Sequence, residues 1–86
     1  MKLTKRKDYM IPLSLLHSGE RAMIQKVSGS QEVRTHLKDM GFVSGCDVDV
    51  ISSLGGNIIV TVKGTRVALG SDMASKIFVG GAYENA

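Results

Sequence analysis

The chain is predicted to be mainly β: a small, partly open barrel of five or six short strands, with one inserted α-helix and a short helical turn. Three observations carry this. Apolar residues recur at every second position in short runs, as in Cys46-Asp47-Val48-Asp49-Val50 and at Ile58, Val60 and Val62. Glycines stand where those runs must reverse, at Gly55-Gly56 and at Gly64. A single longer segment takes helical spacing, with Val33, Leu37 and Met40 at i, i+4 and i+7.

The elements follow in order. Residues 1–10 read as a flexible basic tail, residues 11–79 as one folded domain, and residues 80–86 as a frayed, flexible end. Ile11-Pro12-Leu13-Ser14-Leu15-Leu16 opens the apolar pattern, and Pro12 confines its start to an edge or lead-in segment. Residues 20–27 form a strand with Ala22, Ile24 and Val27 inward. The step from two-residue to three-residue spacing predicts a bulge around Gln25-Lys26. Ser30 is placed to cap the helix, with Gln31, Arg34, Thr35 and Lys38 on its outer side. Gly41 suits the left-handed position after the helix, which pairs Leu37 with Phe42 in a Schellman ending. Cys46 to Val50 is then a half-buried strand, and Gly55-Gly56-Asn57 a hairpin turn with Ile58, Val60 and Val62 continuing inward. Lys63-Gly64 or Gly64-Thr65 turns the chain into Val67-Ala68-Leu69. Ser71 could cap a single helical turn, and Ile77-Phe78-Val79 closes the pattern.

Eighty-six residues allow one domain and a small core. One cysteine excludes an internal disulfide, so packing must hold the fold. No apolar run approaches the ~18 residues needed to cross a bilayer. The basic N-terminus lacks the apolar stretch of a signal peptide, so a cytoplasmic, non-spanning protein is expected. The net charge of +3 lies in residues 1–10, where Lys2, Lys5, Arg6 and Lys7 face Asp8 alone; residues 11–86 balance to zero. Nucleic-acid surfaces concentrate positive charge on the fold itself. A nucleic-acid partner is therefore not expected, and binding through the tail is a distant alternative.

Candidates for chemistry are few, and catalysis is not expected. Cys46 is in phase with Val48 and Val50, so it reads as a small core residue. His17 and His36 lack ligand spacing to each other or to Cys46. Asp47 and Asp49 share a strand face and could attract a divalent cation, although such pairs are commonly solvated. The Gly55-Gly56 pair precedes no helix and is not a phosphate loop. Met40, Phe42, Val43, Leu54 and Met73 lie at loop edges. They either plug the barrel ends or form an apolar patch for a protein partner. The candidate contact set is Met40, Phe42, Val43 and Leu54, with Arg34 and Lys38 as rim charges.

Three segments together resemble the FeoA family of ferrous iron transport proteins. Pro12-Leu13-Ser14-Leu15-Leu16-His17-Ser18-Gly19 is similar to its opening Leu-x-x-Leu-x-x-Gly element. Leu37-Lys38-Asp39-Met40-Gly41-Phe42-Val43-Ser44-Gly45 is similar to its Leu-x-x-Leu/Met-Gly-hydrophobic-x-Pro-Gly signature, with Ser44 in place of the proline. Val67-Ala68-Leu69, Ala74 and Ile77-Phe78-Val79 match its closing pattern, with Gly70 where a longer polar residue is common. The ten-residue basic tail is an addition. The resemblance implies an SH3-like barrel in the cytoplasm. It also implies an accessory role in bacterial ferrous iron uptake, beside the large membrane transporter that carries a cytosolic GTP-binding domain. The same fold closes iron-dependent repressors, but those carry a DNA-binding winged helix for which this sequence has no room. The alternative function is a ferrous-ion sensor or carrier holding a divalent transition metal such as iron directly, through Asp47, Asp49, His17, His36 or Cys46.

Overall fold

A computed structural model describes residues 10–83. The chain runs β1 (Ile11–Pro12), a 3-10 turn (Leu13–Leu15), β2 (Arg21–Val27), α1 (Gln31–Asp39), β3 (Asp47–Leu54), β4 (Asn57–Val62), β5 (Thr65–Leu69), α2 (Ser71–Ala74) and β6 (Ile77–Tyr83). The six strands form one antiparallel sheet in the order β1-β6-β2-β3-β4-β5. Its inward residues, among them Ile24, Val48, Val50, Ile58, Val60, Val62 and Val79, meet in one core with Leu13, Leu16 and Leu37. The sheet must curl to bring them together, and among the described residues β1 and β5 are its two edge strands. This is the partly open barrel that the alternation predicts.

Helix α1 is set by its ends. The Ser30 hydroxyl accepts the Val33 N–H at 3.2 Å, satisfying one of the donors a helix start leaves orphaned. At the other end Gly41 adopts φ +105°. The Phe42 N–H then donates to the Leu37 carbonyl at 3.0 Å and the Gly41 N–H to the Lys38 carbonyl at 2.9 Å. That is the Schellman pair of bonds, and both Leu37 and Phe42 are buried by it. The chain then turns through Gly45, whose N–H donates to the Ile24 carbonyl at 2.8 Å, while Ile24 donates to the Cys46 carbonyl at 2.8 Å.

The bulge in β2 falls at Gln25, between the pairs Ile24–Val79 and Lys26–Phe78. A bulged residue is left off the ladder, and here its carbonyl accepts the Ser44 hydroxyl at 3.2 Å. Ser44 thus ties the turn to the bulge. Both hairpin turns are two residues long with positive φ throughout, Gly55 (+62°) and Gly56 (+88°), then Lys63 (+53°) and Gly64 (+77°). Of the two placements open for the second turn, Lys63-Gly64 is the one adopted.

Two expectations are corrected. Ser71 does not cap α2; Gly70 holds that position without a side-chain bond, and the Ser71 N–H donates to Asn57 Oδ1 at 3.0 Å. The closing strand does not fray at Gly80, because β6 runs on to Tyr83, with Gly80 buried opposite Met23 and Tyr83 opposite Arg21. A register shift in that stretch lets the strand stay paired. Apart from exposed Met10, the basic tail lies outside the described residues.

Three glycine substitutions separate conformational strain from crowding. Gly41→Ala is expected to lower the free energy of unfolding by roughly 1–2 kcal/mol, the penalty of left-handed backbone. Its new Cβ would meet nothing nearer than Val62 Cγ1 at 3.6 Å. Gly56→Ala is expected to lose more than Gly55→Ala in urea denaturation. A Cβ on Gly56 would stand 2.9 Å from Ser71 Cβ, whereas one on Gly55 meets nothing within 4 Å. Equal losses at 55 and 56 would contradict the packing of α2 on this turn.

Candidate functional site

The six candidate contact residues occupy opposite ends of the barrel. The end of α1 carries Met40, Phe42 and Val43 and lies beside the β4–β5 turn, since the position of a Gly41 Cβ is 3.6 Å from Val62 and 3.8 Å from Lys63. Leu54 pairs with Asn57 at the other end of β4. Five residue steps along that strand separate the two ends by roughly 17 Å. They do not form one patch.

Phe42 is also not available as a contact. Its side chain is 1% exposed and is among the largest in the core, because the Schellman geometry turns it inward against Leu37. The expectation that it centres a binding surface is therefore corrected: it holds the helix on the barrel. Met40 and Val43 are half-buried, with Met40 packed on the core, while Arg34 and Lys38 are exposed on α1.

Leu54 is the exception. At 80% exposure it is the most exposed large apolar side chain among the described residues. Its hairpin is anchored from behind, where Asn57 accepts the Ser71 N–H and the start of α2 packs on Gly56. An exposed apolar group on a braced turn loses little freedom on binding, so more of its burial becomes affinity. Gly56, Asn57 and Ser71 form this brace. Sequence reading identified the turn but not the brace, since residues 57 and 71 are joined only by the tertiary fold. Leu15, at 61%, is exposed on the 3-10 turn, although the apolar pattern had given it no special place.

The candidate metal ligands are scattered. Asp49 accepts Arg21 Nε at 2.8 Å across the β2–β3 ladder, where the two are direct partners. Asp47 is exposed opposite Met23. His17 is exposed, with Nδ1 3.6 Å from Glu20 Oε1, and the same carboxylate oxygen accepts the His17 N–H at 2.7 Å. His36 is exposed on α1, and Cys46 is half-buried against the core as its phase implied. Among the described residues, no three His, Cys, Asp or Glu side chains come together as a metal site would require. These residues do not fit a preformed metal centre. Nor is any described helix long and apolar enough to cross a membrane.

A family model for the FeoA domain matches residues 11–80, which covers nearly everything from β1 into β6. The chain belongs to the FeoA family. A relative from Methanocaldococcus jannaschii, named provisionally as Fe(2+) transport protein A, is 32% identical over 70 residues, spanning 81% of this chain and 85% of its own. The crystal structure of an iron uptake regulatory protein, FeoA, superposes with a TM-score of 0.79 at 29% identity, covering 84% of this chain and 97% of that one. The zinc-complexed FeoA of Stenotrophomonas maltophilia gives 0.76 at 25% identity, covering 88% and 99%. That protein is described as a prokaryotic SH3 domain protein suggested to act as a ferrous iron transport activating factor. The FeoA family is one of ferrous iron transport, and the SH3-like barrel implied by the three sequence segments is the fold found.

The division between core and surface gives a direct check. Phe42→Ala is expected to cost about 3–5 kcal/mol of stability, as for a buried aromatic truncated in a packed core. Leu54→Ser is expected to stay within about 0.5 kcal/mol of the parent. Chemical denaturation of both would contradict the placement if Leu54→Ser were the more damaging.

Proposed function

We propose that this FeoA-family chain is a non-catalytic accessory module of ferrous iron uptake, which binds the large membrane ferrous iron transporter at its cytosolic face and modulates it. One observation carries the reading beyond family membership. The barrel presents Leu54 on a braced hairpin, while its titratable groups are dispersed. That arrangement is suited to being bound, and among the described residues no three potential metal ligands converge. Leu54 is the proposed apolar centre of contact, and Met40 and Val43, at the opposite end, are not part of it. Modulation requires differential binding: the module can shift the transporter only toward the conformation it binds better.

Calorimetric titration of the intact protein into the transporter's GTP-binding domain, with and without nucleotide, tests this. Saturable binding that changes with nucleotide is the expected result, and Leu54→Asp should weaken it at least tenfold with thermal unfolding unchanged. Absence of binding in both nucleotide states would remove the GTP-binding domain as the partner. Full affinity in Leu54→Asp would remove the hairpin as the contact.

A second reading, direct binding of ferrous ion, is favoured by the zinc held by the Stenotrophomonas relative. With no converged ligand set among the described residues, such binding is expected to be weak and sensitive to salt. Tight stoichiometric uptake of Fe2+ in an anaerobic titration would promote this reading over the first.

A further inference from the structure

We propose that the free edge of β5 pairs with the same edge of a second copy of this chain, joining two barrels through one continuous antiparallel sheet. The two edges of the sheet are unlike. β1 is two residues long and holds Pro12, which cannot donate to a ladder. β5 runs five residues, Thr65–Leu69, in unbroken register with β4 and without proline. Sheets commonly blunt such an edge with a bulge, a proline or an inward charge. β5 has none of these, and its one charge, Arg66, is exposed.

The ladder fixes which backbone groups are free. Val62 and Thr65 close the two-residue turn and so bond each other, and alternation then turns Val67 and Leu69 toward β4 as well. The N–H and carbonyl of Arg66 and of Ala68 therefore point away from β4. Among the described residues no turn, loop or side chain takes them up. A row of this kind is a template for one more strand.

Self-complementarity favours a second copy as that strand. In a two-fold pairing centred on Val67, Arg66 lies opposite Ala68 of the second copy, and Ala68 opposite its Arg66. These are the residues with free groups, and the two pairs exchange four backbone bonds. Val67 meets its own counterpart in the closer, non-bonded position, which covers a side chain only half-buried in the single chain. Each Arg66 faces an alanine, so no like charges stand directly opposite. Extended past the strand ends, the same register brings exposed Lys63 toward Ser71 of the second copy and the exposed Asp72 beside it. Two-fold symmetry repeats that match at the other end. Neither charge has an ion-pair partner among the described residues of the single chain. Five residues a side make a small contact, which places the dimer in the weak, transient class.

Sedimentation equilibrium of the full chain, at concentrations up to about 1 mM, tests the proposal. A monomer–dimer equilibrium is expected. Ala68→Pro removes an N–H that faces away from β4, so the thermal unfolding curve should be preserved. It takes away two of the four bonds, and dimerisation should weaken at least tenfold. Ala68→Glu sets a carboxylate opposite Arg66 twice in each dimer and should tighten it by roughly two- to thirtyfold. Ala68→Lys, with like charges opposite, should loosen it comparably. These two exposed substitutions carry the test if the proline variant fails to fold. A chain that stays monomeric throughout would overturn the proposal and leave the edge to a foreign strand. Equal dimer affinities in Ala68→Glu and Ala68→Lys would also overturn it, by placing the contact away from β5.

Discussion

The bond from the Phe42 N–H to the Leu37 carbonyl, made possible by left-handed Gly41, is the constraint from which the rest of the barrel follows. It ends α1 and turns the chain back, placing Leu37 and Phe42 side by side under the sheet. Without it the helix would continue past Met40 and the residues from Cys46 onward would miss their register against β2. With it, Gly45 and Cys46 reach Ile24 for reciprocal bonds, and Ser44 reaches the carbonyl freed by the Gln25 bulge. A local helix terminator and a strand irregularity earlier in the chain are thus joined in one junction, by a Ser44–Gln25 bond that spans 19 residues. Because this junction consumes Phe42, it also decides which apolar residues remain for a partner.

Local physics made most of the fold legible. The Ser30 cap, the Gly41 ending, the Gly55-Gly56 turn and the β2 bulge each depend on residues close in sequence, and each was found where the pattern placed it. Ser71 was misread because its backbone donor is satisfied by Asn57, fourteen residues away. The end of β6 was misread because Gly80 weakens a strand in isolation, whereas here it is held opposite Met23 of β2. The candidate site fared worse for a related reason. Exposure logic grouped Phe42 with Leu54, but sequence proximity to a turn does not say which end of the barrel that turn occupies, nor which way a side chain faces after a Schellman reversal.

The functional picture is one of division of labour along the strands. At the α1 end of the barrel Phe42 is buried and Met40 and Val43 are half-buried. The hairpin end offers Leu54 on a turn stiffened by Asn57 and Ser71. Membership of an iron-transport family and a braced apolar tip are what the proposed recognition role rests on. Cross-strand Arg21–Asp49 shows the same economy, since one of the two aspartates that suggested a metal ligand is engaged in holding β2 to β3.

The most direct measurement is an amide chemical-shift map of the isotopically labelled protein as the transporter's GTP-binding domain is added. Shifts confined to the hairpin end, around Leu54, Gly55, Gly56 and Asn57 and the start of α2, are the result expected of a contact centred on Leu54. Shifts centred on Met40, Gly41, Val43 and the Lys63-Gly64 turn, with the hairpin silent, would contradict it and move the recognition surface to the opposite end of the barrel.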